Sequence, residues 1–371
     1  MNKFKIIPTI EKYSTVKEML AVESFTQEDL ILTSKSSYEK YFQGKTNTAD
    51  VIYKGDFGNG EPTEVMMDKI IKTIDYKKYQ RIIAIGGGGV IDMAKVLLIA
   101  QGRPVEKIIE GGVLSKPKCS LIAIPTTCGS GSEMSNIAIL GMEKIQSKLG
   151  LVYDELYPNR SIIIPELLEN LPDRFFLTSA IDGMIHGIES YLSPKNNSYT
   201  ELFSLKGLKL YMKGLKKIAD HGIKIKDTLF DDFSLASNYT GIAFSNTGTG
   251  AVHAISYPLS GKYHVTHGEA NALFLVEILK LYREKNKGEK INTLSDFFGK
   301  ILGCESEYTF NALGETIKKC VELYPLKKYG MKENEIKTFS KSVYENQQRL
   351  LSNSYIQIET SDLERIYERL I

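Results

Sequence analysis

The sequence is short of the features that direct a chain to a membrane, a secretory route or a polyanion. Lys and Arg number 47 against 45 Asp and Glu, a net charge of +2. No excess of one sign invites nucleic acid or an anionic lipid surface. The longest apolar run, Ile82 to Ala100, is broken by four glycines, Asp92 and Lys95, so it is not a membrane span. The first twenty residues carry no long apolar core and no small-residue cleavage site, and no secretory signal is read there. The four cysteines, Cys119, Cys128, Cys304 and Cys320, make no CxxC pair. Reduced thiols in the cytoplasm are the expectation. Repeats and low-complexity tracts are absent. Histidine is scarce, with five in 371 residues, yet three of them fall between Thr249 and Asn271.

What is present is a globular composition, 42% hydrophobic and 25% charged, in a chain long enough for two domains. The first half alternates β-rich runs with helical ones. Strands are expected at 29–34, 49–54, 81–87 and 120–127, with SIIIPELLENLP (161–172) as the last strand and its turn. Helices are expected at 61–74 and 90–100. Such alternation predicts an open parallel sheet with helices on both faces, and ligands at the carboxyl ends of its strands. Beyond Pro172 the pattern is helical: 173–192, 198–219, 231–246, 269–284, 293–302, 307–323, 333–352 and 361–370. The expected division is an α/β domain over 1–168 and an all-helical domain over 169–371.

Two loops in the first half carry chemistry. IGGGGVIDMAK (85–95) is a strand, four glycines and a helix. Glycines let a phosphate approach the backbone, and the helix start offers free N–H groups. The alternative is a tight turn that binds nothing. The loop is not a GxGxxG fingerprint, because Ile91 stands at the third glycine, and it is not a Walker A loop. PTTCGSGSEMSN (125–136) offers hydroxyls to a ribose, nicotinamide or phosphate; it also reads as a helix cap, with Ser130 or Ser132 capping and Glu133 as the acid.

In the second half, Asp182 and His186 stand four residues apart, on one helix face among Ile181, Ile185 and Ile188. An acid on such a face needs a reason. His253, His264 and His267 follow, with Pro258 and Gly261 expected to bend the chain back toward one point. One carboxylate and up to three imidazoles suit a divalent transition metal. Judged singly, each histidine is also readable as a core or capping residue. His221 reads as solvated.

GGGGVIDMAK, PTTCGSGSE, DGMIHGIESY and VHAISYPLSGKYHVTHGEANAL, in this order and spacing, resemble the iron-containing (group III) alcohol dehydrogenases of the dehydroquinate synthase-like superfamily. The resemblance covers essentially the whole chain. It implies an α/β N-terminal dinucleotide-binding domain followed by an all-α C-terminal domain holding the metal. Matched by motif, the metal ligands fall on Asp182, His186, His253 and His267, for Fe(II) or, in some preparations, Zn(II). The diphosphate falls against Gly87, Gly88 and Gly89, with Asp92 and Lys95 near. Thr126, Thr127, Ser130 and Lys148 would contact adenosine, nicotinamide or ribose, and Asn136 and Phe244 would line the nicotinamide. Within the family, SAIDGMIHGIESYLSPKNNSYT and the tail YGMKENEIKTFSKSVYENQQRLL most resemble the branch acting on 4-hydroxybutyrate and succinate semialdehyde.

This chain departs from the family pattern at three places. Gly89 replaces the usual serine of the glycine loop. Ser34, beside Lys35, stands where an acid selects NAD in some members; NAD is the expectation, with NADP open. Tyr257 replaces a histidine proposed for proton transfer, leaving His264 as the substitute. Lys262 and His264 are the local candidates to meet a substrate carboxylate. The expected reaction is hydride exchange between the nicotinamide and a short-chain aldehyde, in a homodimer without nucleic-acid or membrane partners. A general butanol or 1,3-propanediol type dehydrogenase is the alternative. A dehydroquinate synthase-like lyase would need several Arg or Lys beside the metal for a phosphorylated sugar acid, and 173–271 holds a single arginine, Arg174. A purely filament-building protein does not call for a full ligand set.

Overall fold

The computed structural model describes residues 3–46, 48–143 and 147–371. They fall into two compact units, Lys5–Leu171 and Pro172–Ile371, with Phe4 belonging to the second. There its ring stacks on Tyr199 and Phe203.

The first unit runs β1 (Thr9–Lys12), α1 (Val16–Val22), β2 (Asp29–Thr33), α2 (Lys35–Tyr41), β3 (Asp50–Tyr53), α3 (Glu64–Ile71), β4 (Arg81–Gly86), α4 (Gly88–Ala100), α5 (Val105–Gly111), β5 (Ser120–Pro125), β6 (Ile137–Met142), β7 (Ser147–Val152) and β8 (Arg160–Ile163). Six strands form one sheet in the order β1-β8-β5-β4-β2-β3, and every pairing in it is parallel. The central strands are apolar on both faces because both are covered. Leu30, Leu32, Ile82, Ala84, Leu121 and Ala123 pack with α3, α4 and α5. Ile31, Ile83, Ile85, Ile122 and Ile124 pack with α1 and α2.

β6 and β7 pair antiparallel, outside that sheet. The sequence pattern places no strand there, nor at β1. β1 is an edge strand whose residues are mostly exposed, so no alternation marks it. In the hairpin, Gly141 and Gly150 interrupt the pattern.

The winding reverses between β2 and β4, which are neighbours with Thr33 opposite Ile85. Ser34 and Gly87 therefore leave the sheet side by side at its carboxyl edge. Thr126 joins them, its N–H donating to the Gly86 carbonyl at 3.0 Å. A reversal of this kind opens a crevice for a ligand.

The second unit is helical: α6 (Asp173–Leu192), α7 (Ser198–His221), α8 (Phe230–Thr247), α9 (Ala251–Tyr263), α10 (His267–Lys285), α11 (Glu289–Leu302), α12 (Thr309–Cys320), α13 (Ile336–Asn346), α14 (Gln348–Leu351) and α15 (Thr360–Leu370). α6 is buried on nearly every side from Phe176 onward and packs against α7, α8 and α10. The helix does not end at Pro258, where the chain is expected to turn back. α9 continues through it to Tyr263 and ends at His264, which is left-handed with φ 55°. Proline removes one N–H from the helix, and Tyr367 Oη donates to the Ile255 carbonyl in the same stretch at 2.6 Å. No helix among the described residues is long and apolar enough to cross a membrane.

Candidate metal centre and nucleotide loop

Three helices bring the donors together. α6 supplies Asp182 and His186, α9 supplies His253, and α10 begins at His267. Three residues join α9 to α10; His253 lies in the first turn of α9 and His267 opens α10, and their ring centroids are 5.2 Å apart. The approach of α10 to α6 depends on Gly268: a Cβ there would lie 2.4 Å from the Thr178 carbonyl oxygen and 3.3 Å from Asp182 Cβ. Any larger residue would lift His267 away from Asp182.

Donor atoms of Asp182, His186 and His253 all lie within 4.8 Å of one another. His253 Nε2 is 3.1 Å from His186 Nε2 and 3.7 Å from Asp182 Oδ1. His267 Nε2 is 3.9 Å from the same Asp182 oxygen. Two donors each about 2.1 Å from a tetrahedral ion stand roughly 3.4 Å apart, so these spacings surround a point of suitable size. Asp182, His186 and His253 are buried, at 6%, 5% and 2% exposure, while the His267 side chain is 30% exposed. The centre is thus sealed on one side and approachable on the other.

Electrostatics and packing hold the donors in place. Burial raises the Asp182 carboxyl, but His267, His186, His253 and a hydrogen bond from Asn271 outweigh it and hold the group below the ordinary carboxylate range. Asn271 is wholly buried. Its Nδ2 donates to Asp182 Oδ1 at 2.7 Å, and its Oδ1 accepts from Ser256 Oγ at 2.6 Å. The His186 ring stacks between Phe244, at 4.4 Å, and His253, at 4.8 Å. Phe244 accordingly backs a candidate ligand.

The residues around this centre fare unequally. Tyr257 lies one turn beyond His253, buried, with its ring 6.3 Å from that of His267. His264 is exposed and caps α9. Lys262 is exposed too, and its ammonium is paired with Glu335. His221 is the exposed last residue of α7, where a cation suits the helix dipole.

Two contributors carried no weight in the sequence reading. Asn271 is one, four residues after His267. Glu189 is the other. It lies seven residues after Asp182 on the same helix face, so periodicity alone could have flagged it.

In the first unit, the glycine loop runs straight from β4 into α4, with no left-handed residue between Gly86 and Gly89. Close packing demands these glycines. A Cβ on Gly87 would meet Thr127 Cγ2 at 2.9 Å, and one on Gly88 would meet Ser130 Cβ at 2.6 Å. The loop and the 125–136 segment therefore interlock. By position, the first N–H groups of α4 lack intrahelical acceptors, which is the chemistry an anion needs. Ser34 caps α2, accepting from the Ser37 N–H at 3.3 Å.

Asp92 and Lys95 face inward instead. Lys95 is fully buried; its Nζ donates to Ser132 Oγ at 2.7 Å, Ser135 Oγ at 3.1 Å and the Ile137 carbonyl at 2.7 Å. Asp92 accepts from Ser132 Oγ and the Ile139 N–H. Burial lowers Lys95 to about 8, against the pull of Asp92 and Glu133. These two side chains brace the second loop from beneath. The expected cap at Ser130 or Ser132 is absent as such: a short 3₁₀ turn, Ser132–Met134, starts from Gly131 with no side-chain cap. Lys148 pairs with Glu61 at 2.5 Å, and Asn136 Nδ2 donates to Asp154 at 3.3 Å.

Comparison with known proteins identifies the family. Residues 11–165 match the family model for iron-containing alcohol dehydrogenase, and residues 176–371 match the C-terminal model of the Fe-containing alcohol dehydrogenase family. A 4-hydroxybutyrate dehydrogenase from Clostridium kluyveri is 40% identical over 370 residues, covering all of both chains. Among solved structures, 1,3-propanediol oxidoreductase superposes over all of both chains with a TM-score of 0.85 at 18% identity. Sulfoacetaldehyde reductase from Bifidobacterium kashiwanohense, in complex with NAD+, covers 100% of this chain and 98% of its own, with a TM-score of 0.83 at 20% identity. The chain is an oxidoreductase belonging to the iron-containing alcohol dehydrogenase family.

Proposed function

We propose that the enzyme transfers hydride between a nicotinamide cofactor and the 4-hydroxybutyrate/succinate semialdehyde pair. The observation that carries the reading is the buried cluster of Asp182, His186 and His253 with His267 at its mouth. Full-length 40% identity to a 4-hydroxybutyrate dehydrogenase supports the substrate. Three imidazoles and one carboxylate are a borderline donor set, suited to Fe(II) and also to Zn(II). Asp182, His186, His253 and His267 would hold the ion, and the α4 start at Gly87–Gly89 would receive the cofactor diphosphate. Thr126, Thr127 and Ser130 border that loop and support contacts to the rest of the nucleotide. When bound, the metal supplies Lewis-acid polarisation of a carbonyl oxygen and the nicotinamide supplies hydride.

The chain's own residues do the rest. Burial of three donors excludes water from the inner side of the centre. Tyr257, close to His267, is the better placed of the two proton-transfer candidates. Lys262 is weakened as a carboxylate anchor by its pairing with Glu335. Arg174, the one arginine of this region, is likewise paired, with Glu269, which disfavours the lyase chemistry. NAD is the proposed cofactor; Ser34 puts no carboxylate against a 2′-phosphate, so both forms belong in the test. The four free cysteines fit a reducing cytoplasm. Ile6, Ile7 and Ile10, exposed around edge strand β1, support a homodimer.

The experiment is NADH and NADPH oxidation by the Fe(II)-loaded enzyme with succinate semialdehyde and with butyraldehyde. The two aldehydes share a chain length and differ in the carboxylate. A kcat/KM ratio of about tenfold or more for succinate semialdehyde, roughly 1.4 kcal/mol, supports the proposal. Equal rates, or a preference for butyraldehyde, would leave a general short-chain alcohol dehydrogenase.

A further inference from the structure

We propose that Glu189 is a positioning residue that fixes His253 as an Nε2 metal donor and supplies the second negative charge of the centre. The proposal rests on the metal-binding reading of the cluster.

Glu189 is buried, at 4% exposure. Its Oε2 lies 2.7 Å from His253 Nδ1. A carboxylate only accepts hydrogen bonds, so the imidazole must carry its proton on Nδ1. In the neutral ring that leaves Nε2 with a lone pair, and Nε2 is the atom that faces His186 and Asp182. The carboxylate cannot turn away. Oε2 also accepts from the Gly250 N–H at 2.8 Å, and Oε1 accepts from the Val252 N–H at 2.7 Å. These donors belong to the start of α9, where the helix dipole favours an anion. The approach at Gly250 is close, since a Cβ there would sit 3.3 Å from Oε1. One carboxylate on α6 thus sets the start of α9 and the ring orientation of its third residue together.

Charge points the same way. Among the described residues, the nitrogen partners within salt-bridge distance of Asp182 and Glu189 are histidines only. With neutral imidazoles the buried site carries two negative charges and no lysine or arginine. A dication brings that sum to zero. Buried charge is tolerated when it is compensated in this way.

Glu189→Gln tests the role. Its single acceptor oxygen cannot serve all three N–H donors, and an amide NH₂ opposite Nδ1 favours the tautomer with the proton on Nε2. Zinc affinity would be measured by chelator competition for the wild type, Glu189→Gln and His253→Ala. Histidine tautomers would be read by 15N NMR on the five-histidine protein. The expected result is an affinity loss of about 10- to 100-fold in Glu189→Gln, with His253 moving to the Nε2–H form. A Glu189→Gln protein with wild-type zinc affinity and an unmoved tautomer overturns the proposal, whatever its thermal stability. Should the variant not fold, the metal-free wild type decides: a neutral His253 with its proton on Nε2 and none on Nδ1 refutes it. Failure of the underlying reading looks different, because the wild type would then bind no zinc and His253→Ala would change nothing.

Discussion

Gly89 stands where the family resemblance leads to the expectation of a serine, and the structure gives a steric reason for glycine in this chain. A Cβ at position 89 would lie 2.9 Å from both Pro62 Cγ and Cδ. The proline ring cannot rotate aside, and its carbonyl is pinned by the Gly141 N–H at 2.8 Å. Gly89→Ser should therefore destabilise the first unit. Overpacking of this kind costs about 1–3 kcal/mol. Serine is the better helix residue, which returns about 0.5 kcal/mol. The net loss is about 1.5 kcal/mol, a fall of roughly 3–6 °C in the melting transition of a unit this size. Calorimetry on the wild type, Gly89→Ser, Pro62→Ala and the double variant closes a cycle whose coupling term isolates the contact. The double variant should recover most of the loss. A Gly89→Ser protein melting within a degree of the wild type, or strict additivity in the cycle, would refute the steric explanation.

Three further outcomes are expected. Asn271→Ala removes the donor that orients Asp182, and zinc affinity should fall about tenfold; unchanged affinity in a chelator titration would remove Asn271 from the centre. His264→Ala should keep its rate and pH profile, because the residue is exposed, whereas Tyr257→Phe should lower kcat by about 100-fold if it relays the proton; steady-state kinetics showing the reverse order would exchange their roles. Lys95 is lowered from 10.5 to about 8 by burial. Between those values the unfolded chain holds a proton that the folded chain has released, so stability should rise with pH through this window. Lys95→Met should abolish that rise and cost about 3–5 kcal/mol by leaving Asp92 buried and unpaired. Urea denaturation at pH 8 and pH 10 measures both.

Much of the fold was readable because its signals are local. The apolar runs at 29–34, 81–87 and 120–127 became β2, β4 and β5, since strands covered on two faces need no partner to declare themselves. β1 and the β6–β7 hairpin escaped because an exposed edge and glycine-broken strands have no periodicity to read. Pro258 misled for a related reason: a proline costs one hydrogen bond, and the packing around α9 outweighs it.

For the site, the sequence by itself determined the candidate donors and one of their spacings. Asp182 and His186 share a helix turn, and nothing distant alters that. Which atoms meet across helices was decided by the tertiary structure. Gly268 sets how closely α10 approaches α6, and so where His267 stands. Lys262 meets Glu335, 73 residues later, and is drawn into an ion pair. Asp92 and Lys95 lie beside the glycine loop in sequence, yet they turn inward to hold residues 132–139. Glu189 finds its three donors more than 60 residues away, at Gly250, Val252 and His253. Helical periodicity reports the face on which a side chain lies. The partner on the other side depends on packing between elements, where one methyl group decides whether two helices touch.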